Sequence, residues 1–232
     1  MKKIVLFIML MLPMAVMAQK DVTTFLGIPV DGTKDAMIHK LAQKGFKKAP
    51  YGKEYDMTGE FNGEKVELNI VTYKNKVWRI AVADKTIRPE SDIRIRFNNL
   101  VDQFDTNNKY IPVNFGQQNF KIQFDENISY EMMVNNKRYQ AAYYQIVDVS
   151  KIDTLEIQNS IKQTLIKKYG ESAVEKKETA VVTEAQKLAI EHYTDILDHK
   201  HVWFMINRQG YNNYSIFLYY DNEYNHFSNE DL

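Results

Sequence analysis

Apolar residues recur along the chain at two spacings, one typical of helices and the other typical of strands. Between residues 93 and 104, apolar side chains stand at positions i, i+4, i+7, i+8 and i+11, which places them on one face of a helix. Residues 66–70 and 78–82 instead repeat their apolar side chains at a period of two, as half-buried strands do. The sequence therefore predicts amphipathic helices combined with strands.

The first two units of this pattern occupy residues 22–84 and 85–149. In the first unit, Thr33 is expected to cap a helix that three strands follow. In the second unit, the helix is expected to be followed by an irregular stretch and then by a hairpin that pairs residues 128–134 with residues 138–147.

The third unit covers residues 150–232. Two helices are predicted there, separated by a charged linker at residues 171–178, and a last hairpin is expected to pair residues 202–207 with residues 214–221. Because the N-terminal region of residues 19–149 shows the same order of elements, we expect an α+β fold. Its antiparallel sheet would carry helices mainly on one face, and two or three helix-then-hairpin units would build it.

Asparagine takes over the role that glycine usually has in turns. Glycine and proline are scarce, with 9 and 5 residues, and asparagine is among the few other residues that tolerate a left-handed backbone. Four dipeptides between apolar runs are predicted to be hairpin turns: Asn62-Gly63, Asn75-Lys76, Asn135-Asn136 and Asn212-Asn213.

The last predicted hairpin is apolar on both faces of its strands. A strand with one face in water normally alternates apolar with polar residues, but residues 202–206 and 214–220 mostly do not. The second face is expected to be covered by a helix of the same chain, by a partner or by a ligand. Trp203, Tyr214 and Tyr219 are the candidate binding residues, because exposed Trp and Tyr combine a large apolar ring with a polar group.

Residues 1–18 have the three parts of a secretory signal. A basic start at Lys2 and Lys3 is followed by an apolar run over residues 4–12, which is too short to span a bilayer. Cleavage is expected after Ala18, and the mature protein is expected to be exported to the periplasm or out of the cell. An uncleaved interfacial anchor is the alternative.

Composition excludes several classes of function. Lys plus Arg and Asp plus Glu number 30 each, so the chain lacks the basic surplus that nucleic-acid binding favours. The absence of cysteine excludes a thiolate nucleophile, a zinc–thiolate site and a disulfide framework. The sequence contains no glycine-rich phosphate loop, no nucleophile elbow and no H-E-x-x-H zinc motif. Accordingly, no catalytic residue, cofactor or membrane span is predicted for the mature chain.

One polar cluster is the strongest candidate for a metal site. His192, Asp195 and His199 stand at i, i+3 and i+7 of a predicted helix, and His201 follows at the start of the next strand. These nitrogen and oxygen ligands suit zinc or another divalent cation. The alternative is that they form the ordinary polar end of a helix, where the helix dipole favours histidine.

Residues 25–33 (FLGIPVDGT) and 41–46 (LAQKGF), together with residues 219–222 (YYDN) and 229–232 (NEDL), lie near the two ends of the chain. They resemble the ends of exported proteins of unknown function from Gram-negative gut commensals. The helix-then-strands order of the first unit also resembles the β-lactamase-inhibitor-protein-like fold, which implies a sheet with helices on one face and a role in protein binding. The D-T-L sequence around Thr154 is similar to an O-glycosylation sequon of such bacteria; the alternative, which we favour, is that Thr154 begins a helix.

Together these features predict a non-catalytic binding or interaction protein. Its partner is expected to be a protein or a glycan of the cell envelope, bound through a sheet face or through the aromatic C-terminal hairpin. The alternative is a metal-dependent or other hydrolase that uses the cluster from His192 to His201. A purely structural component of the envelope is a third hypothesis.

Overall fold

The computed structural model of the protein describes residues 20–113 and 119–226. The predicted signal at residues 1–18 lies outside the described residues. The strands are Thr24–Phe25 (β1), Ile28–Pro29 (β2), Lys47–Lys48 (β3), Met57–Phe61 (β4), Glu64–Tyr73 (β5), Lys76–Asp84 (β6), Tyr110–Pro112 (β7), Gln140–Gln145 (β8), Lys200–Gly210 (β9) and Asn213–Asn222 (β10). The helices are Lys34–Gln43 (α1), Glu90–Thr106 (α2), Ile128–Val134 (α3), Thr154–Tyr169 (α4), Glu171–Glu175 (α5) and Thr179–Asp198 (α6).

The described residues form two compact units. The helical unit is Asp148–His192 with the described chain up to Asp21, and the sheet unit is Val22–Val147 with the chain from Tyr193 onward. The predicted C-terminal region of residues 150–232 is thereby divided, because its helices lie mostly in the helical unit whereas its hairpin belongs to the sheet unit.

Within the described residues, eight strands form one sheet in the order β3-β4-β5-β6-β10-β9-β8-β7, and every neighbouring pair is antiparallel. Strands β1 and β2 form a separate antiparallel pair. The C-terminal hairpin lies inside the sheet, since β10 also pairs with β6 and β9 also pairs with β8. The predicted α+β fold with an antiparallel sheet is confirmed.

Helices α1 and α2 cover one face of the sheet. Thr33 caps α1 by accepting a hydrogen bond from the N–H of Ala36 at 3.3 Å, and Met37 and Leu41 are fully buried. The apolar stripe predicted for α2 is buried along its whole length. Both helices share one hydrophobic core with the sheet side chains that face them. The prediction that helices lie mainly on one face is therefore confirmed within the sheet unit.

Residues 128–134 form helix α3, so the strand predicted there, and its hairpin with residues 138–147, are wrong. Asn127 caps the helix by accepting a hydrogen bond from the N–H of Tyr130 at 2.8 Å. The carboxylate of Glu90, at the start of α2, accepts hydrogen bonds of 2.8 and 3.1 Å from the N–H groups of the first two residues of α3. Most of the unpaired N–H groups at the start of the helix are thus satisfied, which stabilises a helix in a sequence that favours a strand.

The helical unit departs from prediction at one point. Part of the predicted charged linker at residues 171–178 is the short helix α5, which follows directly on α4. The two helices meet at Gly170, whose φ of 84° is a conformation that glycine adopts readily. Asp153 caps α4 by accepting a hydrogen bond of 2.9 Å from a backbone N–H of its first turn, and Thr154 begins the helix, as expected.

The asparagine turns have the predicted left-handed backbone. Asn62, Asn75, Asn136 and Asn212 have positive φ angles of 51°, 64°, 52° and 51°. Three of these residues connect the strands of hairpins, as predicted, but Asn136 lies between α3 and β8. The sequence therefore predicts the backbone conformation at all four sites. It predicts the flanking secondary structure at three of them.

Candidate binding site

The sheet face opposite to α1 and α2 carries the candidate site, and we call it the second face. Its side chains alternate along each strand with those of the core, and paired residues of neighbouring strands stand side by side. Three cross-strand rows form this face: Ala142, Trp203, Tyr219, Ala81 and Asn69 in the middle; Gln140, Met205, Phe217, Ala83 and Glu67 on one side; and Tyr144, His201, Asp221, Arg79 and Val71 on the other. The face is thus rich in aromatic and small side chains at its centre.

Four residues of the second face form a connected group, which we call the Arg79 cluster. The rings of Trp203 and Tyr219 stack with centroids 4.2 Å apart and planes 22° apart. The carboxylate of Asp221 accepts two hydrogen bonds of 2.6 Å from the Arg79 guanidinium and one of 2.9 Å from the indole N–H of Trp203. The guanidinium also lies 4.8 Å from the centroid of the Tyr219 ring.

The charge pair fixes the aromatic side chains of the Arg79 cluster. The Asp221 side chain is only 3% exposed, and a buried carboxylate is tolerated only when it is paired and hydrogen-bonded. The two-point contact with Arg79 restricts the guanidinium to one orientation. The same carboxylate holds the Trp203 indole, and the Tyr219 ring stacks on that indole, so both rings are positioned before any ligand arrives.

A cleft of about 670 Å³ lies beside this cluster, and its volume is in the range of ligand pockets. Ala81 and Ala83 of β6 form its floor, because their side chains are shorter than those on the two neighbouring strands. Phe217 and Tyr219 of β10 form one wall. The remaining lining is largely polar and includes Lys34, Glu54, Asp56, Asn69, Thr72 and Arg79.

The charges in the cleft largely compensate one another. The Nζ atom of Lys34 lies 2.6 Å from a carboxylate oxygen of Asp56, and Arg79 is paired with Asp221. Glu54 is the remaining charged residue of the lining, and it forms no ion pair with another described residue. The cleft therefore has no positive patch that would attract an anion.

Two polar groups of the cleft are available to a ligand. The Asn69 amide and the Tyr219 hydroxyl form no hydrogen bond within the part of the chain that the structure describes. Burial raises the pKa of the Tyr219 phenol above its ordinary value, although the charge of Arg79 opposes that shift. The hydroxyl is therefore protonated at neutral pH and can both donate and accept a hydrogen bond.

Tyr214 is not part of the second face, which corrects its assignment to the binding surface. It is 1% exposed in the core, and its hydroxyl is hydrogen-bonded to Ser129 at 2.6 Å. The reason is the period of two along a strand: Tyr214 and Tyr219 are an odd number of positions apart on β10, so they point to opposite faces. Trp203 and Tyr219, by contrast, are brought together.

The predicted metal ligands His192, Asp195, His199 and His201 do not form a ligand set. In the described ranges, no group of three or more His, Asp or Glu residues is placed to hold a metal ion. The ring of His199 stacks on Tyr224 with centroids 3.9 Å apart, and its Nδ1 lies 2.6 Å from the carbonyl oxygen of Asp195. His201 packs against a tyrosine of β8, with centroids 5.0 Å apart.

Sequence reasoning missed Arg79, Asp221 and Asn69. A partial signal exists for Arg79, which is the one charged residue inside the predicted strand over residues 78–82. Its partner could not be identified from that signal, because Asp221 is 142 positions away. Asn69 stands at a polar position of a cleanly alternating strand, which gives no indication of a ligand.

The fold and the site define an α+β protein with an antiparallel sheet, helices on one face and a cleft on the other. A scan against protein-family models, a search of curated proteins and a search of solved structures each found no match to this chain. Across residues 20–113 and 119–226, no helix has the length and apolar character that crossing a membrane requires.

Proposed function

We propose that this protein is an exported, non-catalytic binding protein that holds its ligand on the second face of the sheet. The export rests on the signal-like sequence of residues 1–18. The binding site rests on one observation, the stacked pair of Trp203 and Tyr219 beside the cleft. Rings that are already fixed offer a large contact area and lose little conformational entropy when a ligand binds.

The chemistry of the Arg79 cluster favours binding over catalysis. The Asp221 carboxylate and the Arg79 guanidinium form an ion pair, and the indole N–H of Trp203 donates a further hydrogen bond to the same carboxylate. Such a group holds neighbouring side chains in place, and it does not present a free base or acid to a substrate. The same arrangement suits a partner that packs on aromatic rings.

The test measures how much mature protein is retained by envelope fractions of the native cells. Trp203→Ser and Tyr219→Ser are each expected to lower retention by about tenfold or more, since central aromatic residues dominate binding energy at an interface. Tyr211→Ser is the matched control, because Tyr211 is 85% exposed in the β9–β10 turn and lies outside the cleft. It should leave retention unchanged.

Thermal melts must accompany this measurement. Each variant is expected to keep one cooperative transition, because Trp203 and Tyr219 are only half-buried. If the Trp203 and Tyr219 variants both unfold, the two rings are part of the structural core and the proposal is wrong. The proposal is equally contradicted if both variants fold and are retained as well as the original chain.

A further inference from the structure

We infer that the cleft on the second face binds a neutral carbohydrate. Sugar rings would pack on the aromatic wall, and their hydroxyl groups would bind the polar lining. This inference rests on the proposed function, because it names the ligand class of the same site. Three features of the cleft carry it: its width, its charge balance and its hydrogen-bonding groups.

The width of the cleft selects a thin ligand. The cleft follows β6, where Ala81 and Ala83 form the floor, and it is flanked by β5 and β10. Strands next to one another lie about 4.8 Å apart, so the two flanking backbones are about 10 Å apart. Their side chains narrow this gap further. A helix, about 10–12 Å across with its side chains, is too wide, whereas a single chain of sugar rings fits.

The charge balance selects a neutral ligand. Lys34 is neutralised by Asp56, and Arg79 is neutralised by Asp221. Glu54 leaves the lining slightly negative. A phosphate, a sulfate or an acidic sugar would therefore meet no unpaired cation in the described lining and would be repelled by Glu54.

The hydrogen-bonding groups select a polar ligand. The Asn69 amide supplies two donors and an acceptor, and the Tyr219 hydroxyl supplies one donor and an acceptor. An apolar ligand would bury these groups without partners, and each unsatisfied group would oppose binding. Next to them, Phe217 and Tyr219 present ring surfaces. A carbohydrate matches the hydrogen-bonding groups through its hydroxyls, and it matches the ring surfaces through its C–H faces.

The first experiment identifies the ligand class on native envelopes. Envelope fractions are treated either with periodate, which cleaves the vicinal diols of sugars, or with proteinase K. We expect periodate to abolish retention of the protein and proteinase K to leave it. Among glycans released from the same envelopes, the neutral fraction should compete for retention and the acidic fraction should not. Retention that survives periodate but not proteinase K, or competition by the acidic fraction alone, would overturn the inference.

The second experiment locates the ligand in the cleft. Ala81→Leu fills the floor without removing any ligand-binding group, and it is expected to weaken retention by about tenfold. Ala42→Leu is the control for the same substitution outside the second face, because Ala42 is exposed on α1, which covers the opposite face of the sheet. Both variants should melt like the original chain. If Ala81→Leu folds and is retained normally, the carbohydrate site is not this cleft.

The two proposals fail in distinguishable ways. If retention depends on Trp203 but is destroyed by proteinase K and not by periodate, the protein binds through the second face and its partner is a protein. The carbohydrate inference is then wrong and the binding function stands. If retention does not depend on Trp203 or Tyr219, both proposals are wrong.

Discussion

Replacing Phe97 with alanine tests whether α2 anchors the sheet unit. Phe97 is 0% exposed, and its ring contacts Phe204 of β9 with centroids 5.1 Å apart. Truncating a buried phenylalanine typically costs about 3–5 kcal/mol, from lost burial and from the cavity that remains. The aromatic pair accounts for about 0.5–1.5 kcal/mol of this, and the better helix propensity of alanine offsets a few tenths. We therefore expect a loss of about 3–4 kcal/mol.

Urea unfolding followed by tryptophan fluorescence measures this loss in the right part of the molecule. Both tryptophans of the chain, Trp78 and Trp203, lie in strands of the sheet unit. Ile95→Ala is the matched control on the same helix, because Ile95 is 60% exposed and should change stability by less than about 0.5 kcal/mol. A loss below about 1 kcal/mol for Phe97→Ala would refute the packing of α2 against the sheet.

Three other contacts allow separate tests. Burial raises the pKa of Glu90, but hydrogen bonds from the start of α3 hold it below its ordinary value, so its stabilisation is lost as pH falls through the folded-state pKa. Urea unfolding should find Glu90→Gln destabilised relative to the original chain at about pH 7, and this difference should shrink as pH falls below about 4.3, the ordinary pKa of glutamate; a difference that does not shrink as pH falls would contradict this. Gly59→Ala should cost about 1–3 kcal/mol in the same assay, because a Cβ there would lie 2.5 Å from the Phe46 ring, and an unchanged midpoint would show that the ring moves freely. N-terminal analysis of the protein isolated from its native cells should find Gln19 first, and a retained signal would disprove cleavage after Ala18.

Local patterns predicted those parts of the fold that local interactions determine. The apolar face of α2 and the hairpin of β9 and β10 are predicted correctly, since each follows from the spacing of apolar residues within one segment. The prediction of a strand over residues 128–134 is wrong because the helix there is stabilised by Glu90. Glu90 lies 38 positions before Ile128, the first residue whose N–H it binds. A carboxylate supplied by a distant helix leaves no trace in the local pattern.

The candidate site was predictable only in part, for a similar reason. The apolar character of the last hairpin identified Trp203 and Tyr219. Their role depends on which residues β10 meets across the sheet, and that neighbour is β6, far earlier in the chain. The charged partners Arg79 and Asp221 become a pair only through this long-range pairing. Tyr214 was assigned to the wrong face because a run of apolar residues hides the alternation.

The central place of β10 has a consequence for the order in which the protein folds. Among the described strands, β10 is made after all the others and lies between β6 and β9, so the sheet cannot be completed until residues 213–222 have left the ribosome. Joining β10 to β6 brings together residues as far as 142 positions apart, a slow step compared with hairpin closure. Before that step, β6 has an unpaired edge that invites aggregation. Late completion of the sheet would keep the chain unfolded during synthesis, as the proposed export requires. The unpaired edge of β6 would then have to be shielded from aggregation until β10 has left the ribosome.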